Sequence, residues 1–455
     1  MNLTQTAGGA AAVHPLDVGM LVFHVTIVLS VLIVLVALFR LPRAFARFWR
    51  ASEWTQGHFL GYSASRKGGP VVFPGVPDEV YAGGSAKDDQ AFQYLARSGP
   101  QFDTPPPHIP GTPFFLRSVV SVLHSRVISG FSIGQLIVCA CWLDVVLYAA
   151  IYRSTGPFTD FGRYGLIATA QLPFVFVFAA KNNIAGVLLG VGYEKLNFLH
   201  RHVARIAIVA ANIHSFGYVY KWCLAATFQE HIMEPQNASG LLMLIAFNVL
   251  LLASSPFVRN RAYNFFFWVH TLFVPACMAA GWAHYPPLRP YLICASAVYG
   301  FDKLLRIAKT RISTATIQAL PGLNATRVEL PYINKGWRAG QHVRVRVLSS
   351  SMGIMGWSEI HPFTIASSSR SGNGLVLVCK QAGTWTNKLY RAAAADNHVG
   401  EACLSRHVKM IVEGPYGGPG FMMMHSFSAA LFVVGGSGIT FALGAVQDLI
   451  EQDSC

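Results

Sequence analysis

Two apolar stretches between residues 200 and 284 each carry a pair of histidines fourteen residues apart. His200 and His214 lie in LHRHVARIAIVAANIHSFGY, and His270 and His284 in HTLFVPACMAAGWAH. At 100° per residue, fourteen steps return to within about 40° of the starting face, with a rise of roughly 21 Å. Each helix therefore shows two imidazoles on one stripe, one near either edge of a bilayer core about 30 Å thick. An ionisable residue inside a span is costly and marks function by default. A single one reads as hydrogen-bonded packing, and His24 in the first apolar run is expected to be that. Four in two equally spaced pairs ask instead for two planar metal complexes, stacked across the membrane and pinched between two helices. Neutral imidazole is a good ligand for haem iron, and two axial imidazoles leave no open position, which favours electron transfer over oxygen binding. His202 stands twelve residues before His214, about 120° round the helix, so His200 is the expected ligand.

Composition agrees with that setting. Of 455 residues, 53% are hydrophobic and 12% charged, with a mean hydropathy of +0.41, against about 25% charged in soluble domains. The net charge of +14 comes from cations clustered beside apolar runs, which is a topology signal, and no nucleic-acid partner is expected. The eight cysteines form no CxxC pair and sit mostly in apolar segments, so neither a disulfide framework nor a zinc site is expected. Residues 1–17 lack the basic start of a signal peptide, and the first apolar run is expected to stay as a membrane helix.

That run, 18–39, is followed by RLPRAFARFWR, which reads as a cytoplasmic basic segment lying at the interface. Together they make an N-terminal region, 1–60. Residues 61–130 read as a loosely ordered cytoplasmic loop, rich in Gly, Pro and Ser up to residue 113. Six further spans are expected near 131–152, 164–180, 202–226, 240–258, 264–284 and 289–308, which makes 131–310 a di-haem transmembrane domain. With the Arg-rich segment inside, seven spans put the N-terminus outside and the C-terminus in the cytosol. Lys181, Lys195, Arg201, Arg205, Arg259, Arg261, Lys303, Arg306, Lys309 and Arg311 then all fall inside. The sequons at Asn2 and Asn237 would face outside and accept glycans, whereas that at Asn324 would be cytosolic. In this topology His200 and His270 share an inner haem, and His214 and His284 an outer one.

From about residue 311 the texture changes to short alternating runs, the pattern of a small β-barrel over 311–425. One strand reads HPFTIASS, with His361, Pro362, Phe363 and Thr364 in tandem. A flavin needs a flat apolar contact and a hydroxyl near its reactive nitrogen, and Phe363 and Thr364 offer both. Lys380, Gly383, Trp385 and Thr386 follow in CKQAGTWTNKL, then Gly414 and Gly417 in GPYG, where glycine turns let backbone N–H groups approach phosphates. Over 426–455, AALFVV reads as a buried strand running into GGSGIT and then a helix, the context in which a nucleotide pyrophosphate meets a helix N-terminus. Gly435, Gly436, Gly438 and Thr440 are the residues of that turn.

Together, in this order, the histidine quartet, HPFT, GPYG and GGSGIT resemble the fungal ferric-chelate reductases, relatives of the NADPH oxidases, over about residues 131–455. The resemblance implies an α-helical polytopic membrane domain of about seven spans, then a cytosolic FAD-binding β-barrel and the start of an α/β NADP-binding domain. It implies that His200, His214, His270 and His284 bind two b-type haems. His361 to Thr364 would form the flavin strand, with Thr364 near the flavin N5, and Gly435, Gly436, Gly438 and Thr440 would begin the NADPH site. The activity implied is transmembrane electron transfer from cytosolic NADPH through FAD and the haems to ferric chelates outside, at the plasma membrane. It would supply a downstream iron, or copper, uptake system. Family members continue through the rest of the nucleotide domain, so a C-terminally truncated chain is expected, one βα unit leaving strand edges unpaired. Two alternatives stand beside this reading: a superoxide-producing NADPH oxidase, and a haem-binding membrane subunit lacking its own dehydrogenase activity.

Overall fold

In lipid, each backbone N–H and C=O has to be satisfied inside its own segment, so apolar runs of spanning length fold as helices. The computed structural model describes residues 17–49, 56–62, 108, 110, 112, 114–128, 130–156, 159–353, 356–371, 374–395 and 406–453. The sequon at Asn2 and most of the 61–130 loop lie outside the described residues. Two units divide the chain: residues 1–35, 117–179 and 197–299 make the first, and 36–116, 180–196 and 300–455 the second.

Helix α1 covers Val18–Phe48. A short α2 (Arg117–His124) and a hairpin of β1 (Arg126–Ile128) and β2 (Phe131–Ser132) lead into α3 (Ile133–Ile151). Ser132 and Gln135 cap α3 reciprocally, each side chain accepting the other's main-chain N–H. α4 (Phe161–Ala170) and α5 (Leu172–Ala179) form one span interrupted at Gln171, whose side chain accepts from the buried indole of Trp142 at 2.9 Å. After α6 (Ile184–Leu189) come α7 (Asn197–Leu224), α8 (Phe228–Met233), α9 (Pro235–Ala253), α10 (Pro256–Arg261), α11 (Tyr263–His284) and α12 (Arg289–Ala308). By length and composition α1, α3, α4 with α5, α9 and α11 are apolar enough to cross a membrane. The remaining two of the seven expected segments, α7 and α12, have the length but carry Arg201, Arg205 and Lys221, or Arg289, Asp302, Lys303 and Arg306. The chain is a multi-pass membrane protein.

Two expectations for α1 do not hold. The basic segment is no separate interfacial element: the helix runs on through Pro42 to Phe48, and Arg47 is buried, donating to the carbonyls of Gly420 and Met422. Leucine, arginine, alanine and phenylalanine keep the helix going, and a buried guanidinium bonded to carbonyls is stabler than one left dry. His24 is exposed and edge-on to Phe23 rather than packed away.

In the second unit, β3 (Thr310–Leu320), β4 (Ala325–Leu330), β5 (Gln341–Leu348), β6 (His361–Thr364), β7 (Leu375–Lys380) and β8 (Arg406–Gly417) form one antiparallel sheet, with α13 (Thr384–Ala394) between β7 and β8. The strand order is β6-β5-β8-β3-β4-β7, and a bridge from Ile365 to Leu377 brings the two ends together, nearly closing the barrel. Closure removes the sheet edges that would otherwise invite pairing. Along β5 the period of two is strict: Val343, Val345 and Val347 enter the core while His342, Arg344 and Arg346 point outward.

The expected buried strand over AALFVV is not formed. Residues 429–434 carry no strand, and Leu431 and Val433 are 90% and 88% exposed. A strand is held by a neighbour's ladder, and among the described residues none lies beside this one. The turn and helix do form: a single 3-10 turn at Gly436–Gly438 opens α14 (Ile439–Asp453). That helix lies on the barrel, where Ser368 N donates to Gln447 Oε1 at 3.1 Å.

Candidate functional site

The first unit brings the four histidines together in the expected pairs. His200 on α7 faces His270 on α11 with ring centroids 6.2 Å apart and planes at 69°, and His214 faces His284 at 6.1 Å and 78°. Metal–nitrogen bonds of about 2 Å, with roughly 1 Å from each bonded nitrogen to its ring centre, put two imidazoles on one iron about 6 Å apart. The spacing fits a metal between the rings.

Hydrogen bonds to main-chain carbonyls engage the same nitrogen in three of the four rings. His200 Nδ1 donates to the Val175 carbonyl at 3.0 Å, His214 Nδ1 to that of Phe161 at 2.9 Å, and His284 Nδ1 to that of Gln236 at 2.8 Å. A carbonyl only accepts, so the proton sits on Nδ1 and Nε2 keeps its lone pair for a ligand. His270 has a longer contact, 3.4 Å from its Nδ1 to the Ser254 hydroxyl. His202 turns elsewhere, its Nε2 donating to the Cys139 carbonyl at 2.9 Å. Among the described residues no three His, Cys, Asp or Glu side chains gather around one metal position. Two imidazoles alone are too few for a bare ion, so a metal held between them would have to bring further ligands with it, as haem does.

Sequence reading missed the glycines that make room for the outer pair. A Cβ on Gly165 would come within 2.7 Å of the His214 ring, and one on Gly240 within 2.5 Å of the His284 ring. Both line a cavity of about 560 Å³, with His214, His284, Tyr218 and Trp222. At its edge, the Asn237 side chain of the second sequon is already engaged, donating to the His231 carbonyl at 2.9 Å and to Glu234 at 3.0 Å.

On the barrel, alternation splits the HPFT strand between two faces. His361 and Phe363 pair across β5 with Val345 and Val343, and both lie against the ring of Trp385, at 4.4 and 5.9 Å. Pro362 and Thr364 pair with Arg344 and His342 on the outward face. Phe363 and Thr364 thus do not offer one surface in tandem. The Trp385 indole N–H is buried with no acceptor among the described residues, an unmet donor beside the strand that a bound carbonyl or ring nitrogen would satisfy. Thr386 is engaged locally, its hydroxyl accepting from the N–H groups of Ala382 and Gly383 at the start of α13, while Lys380 and Gly383 are exposed.

The outward face continues across β8. His342 stands opposite both Thr364 and Tyr416, and Arg344 opposite both Pro362 and Glu413, with a bulge between the two rows where Gly414 and Pro415 intervene. Gly417, with φ +66°, lies so near His342 that a Cβ would come within 3.0 Å of the ring. Glu413 accepts two bonds from Arg306, at 2.9 and 3.1 Å, one from Arg344 at 3.2 Å and one from the Tyr416 hydroxyl at 3.0 Å. Burial works against its charge, yet Arg306, Arg344 and Tyr416 hold its carboxyl down at about 2. Burial pushes Lys181 down to about 7 and Lys309 to about 8, and burial with Lys181 and Arg344 nearby keeps His342 neutral, at about 4. None of Lys181, Tyr193, Lys309 or Glu413 stands out in the sequence, because a lysine after an apolar run looks like any positive-inside charge.

At the start of α14, Cβ atoms built on Gly435, Gly436 and Gly438 meet nothing within 4 Å, so the backbone there is open to a ligand. The Thr440 hydroxyl is turned back on the Ser437 carbonyl at 2.9 Å. Turn and helix fit a nucleotide pyrophosphate, whereas the strand half of that site is missing among the described residues.

Comparison with known proteins follows the same division. A family model described as ferric reductase like transmembrane component matches residues 164–281, and one described as FAD-binding domain matches 309–420. Ferric reductase transmembrane component 6 of Saccharomyces cerevisiae is 26% identical over 70% of this chain and 45% of its own length. Ferric reductase transmembrane component 1 of Schizosaccharomyces pombe is 25% identical over 64% and 57%. Dual oxidase 1 of Homo sapiens is 24% identical over 68% and 22%. The chain spans about half the length of the ferric reductase relatives it matches. The chain thus carries, in this order, a region that matches ferric reductase like transmembrane components and a region that matches FAD-binding domains, and it is similar across both to ferric reductase transmembrane components.

Proposed function

We propose that the protein carries electrons across a membrane from cytosolic NADPH, through FAD and two b-type haems, to ferric chelates on the far side. The observation that carries this reading is the pairing of His200 with His270 and of His214 with His284 at the spacing of two imidazoles on one iron. His200, His214 and His284 also have Nδ1 held by carbonyls. With fourteen residues between the levels, the two sites are separated along the helix by roughly 21 Å, far enough to bridge most of an apolar core. The electron balance is one NADPH for two ferric ions: NADPH + 2 Fe(III) gives NADP⁺ + H⁺ + 2 Fe(II). FAD supplies the conversion from a hydride to single electrons, and the residues on which it would rest are the HPFT strand, Trp385 and the outward row of Thr364, His342 and Tyr416. No acid–base pair is needed for the reduction of the metal itself.

The same reading puts Lys181, Arg306 and the barrel in the cytosol and the His214–His284 pair toward the outside, in a plasma membrane, feeding uptake of iron or copper. Purified chain in detergent, supplied with NADPH and a ferric chelate, is expected to form Fe(II) faster than superoxide. Oxygen outcompeting the chelate would favour an oxidase, the activity suggested by the name of the human relative. A second reading has its own observation: residues 429–434 carry no strand, and a haem-binding subunit without dehydrogenase activity would need none. Haem reduction by NADPH with this chain as the sole protein would rule that out.

A further inference from the structure

Four cationic groups gather by the outward face of β5 and β8, with the buried carboxylates of Glu413 and Asp302 near them. Arg306 and Arg344 both pair with Glu413. Asp302 accepts from the Asn182 main-chain N–H at 2.8 Å and from its side-chain amide at 3.1 Å. Lys181 and Lys309 are left with no carboxylate within salt-bridge reach among the described residues. Their ammonium groups lie over rings instead, Lys181 4.5 Å from the centre of Tyr193 and Lys309 5.2 Å from that of Tyr416. Glu194 is exposed at the rim near Gly417. Holding an ammonium away from water is destabilising, and burial, joined at Lys181 by Arg344 and Arg306, depresses both lysines although Glu413 and Asp302 are near enough to oppose it. A fold keeps such groups where a ligand brings the missing negative charge.

The rings link these lysines to the flavin strand. The Tyr193 hydroxyl is 3.3 Å from His342 Nε2, and His342 stands opposite Thr364 on one side and Tyr416 on the other.

We propose that Lys181 and Lys309 are the cations that answer the negative charge FAD gains on reduction, with Tyr193, His342 and Tyr416 as the neutral groups that position them. The proposal rests on the flavin reading above. Hydride transfer from NADPH delivers one proton and two electrons, so reduced FAD carries one more negative charge than oxidised FAD. Fixed positive charge favours the reduced form and raises the flavin midpoint potential.

The test uses the full chain in detergent with its haems, reduced electrochemically so that no nucleotide is needed. Lys181→Met and Lys309→Met keep the stem and remove the charge, while Lys181→Arg keeps the charge. Lys409→Met, at an exposed position on β8, controls for net charge, and melting temperatures control for folding. The flavin potential, the haem potentials and the Kd for oxidised FAD are read for each. Each Met variant at 181 or 309 is expected to bind reduced FAD, relative to oxidised FAD, on the order of tenfold more weakly, a fall of about 30 mV for a two-electron couple. Lys181→Arg should stay near the unsubstituted value and Lys409→Met should match it. A flavin potential unmoved in both Met variants overturns the proposal. Weaker binding of oxidised FAD at unchanged potential also overturns it, placing the lysines on the pyrophosphate. A shift confined to the haem potentials does the same, placing them on a propionate. If the unsubstituted chain binds no FAD, the flavin reading falls together with the proposal.

Discussion

The Nδ1 of His214 donates to the carbonyl oxygen of Phe161 at 2.9 Å. That bond fixes which ring nitrogen carries the proton and turns the other toward His284 before any metal arrives. Phe161 begins α4, so a helix outside the ligand pair sets the ligand's tautomer. Val175 does the same for His200 from α5, and Gln236 for His284 from α9.

His270 has the weakest anchor of the four, a 3.4 Å contact with the Ser254 hydroxyl. Loss of such an outer partner costs about 10- to 100-fold in metal affinity, and the long contact places Ser254→Ala near the lower end. Haem retention during dilution should show the inner site weakened and the outer one unaffected. Equal loss from both sites would mean that Ser254 supports the bundle rather than this ring.

Gly165 and Gly240 test the outer pair by space. Alanine at either place drives a methyl group into an imidazole that cannot swing aside without giving up its carbonyl bond. Overpacking of this kind costs roughly 1–3 kcal/mol. Both variants are expected to lose outer haem while the inner haem spectrum stays unchanged. Full haem content in Gly165→Ala and Gly240→Ala would show the rings free to move.

Glu413 gives a pH dependence with a definite sign. Its folded value, about 2, lies below the unfolded value of about 4.3. Its contribution is therefore complete above the unfolded value and is lost as pH falls through the folded one. At neutral pH that contribution is on the order of 3 kcal/mol. Glu413→Gln should lower the melting temperature at pH 7 and flatten its fall between about pH 4 and pH 2. An unchanged acid limb would show that the carboxylate is not held by Arg306 and Arg344.

Residues 429–435 lack a ladder, whereas Lys409–Val412 are paired on both sides within the barrel. Amides in the first stretch should exchange with solvent far faster than those in the second. Slow exchange over 429–435 would mean that a strand forms there after all.

How much of this was legible in the sequence depends on how local each signal is. The histidine pairs were, because a fourteen-residue interval is a property of one helix and needs no tertiary knowledge, and the rejection of His202 followed from the same geometry. The barrel was legible because β5 alternates without error. The AALFVV run failed because composition reports the burial a segment seeks and not whether a neighbouring strand exists to grant it. The continuation of α1 through Arg47 failed for a related reason: a charged residue bonded to the carbonyls of Gly420 and Met422 looks, in sequence, like an interfacial one. The lysines over Tyr193 and Tyr416, and the glycines under His214 and His284, depend on contacts made across elements distant in the chain. No window of sequence holds both partners.

Four histidines holding two haems in series fix a haem stoichiometry that single substitutions should change one haem at a time. The purified chain is expected to carry two haems of bis-imidazole spectrum. His214→Ala and His284→Ala should each lose the outer one and keep much of the inner, and His200→Ala and His270→Ala the reverse. One haem in the unsubstituted chain, or unchanged haem content and spectrum in His214→Ala, would contradict the account.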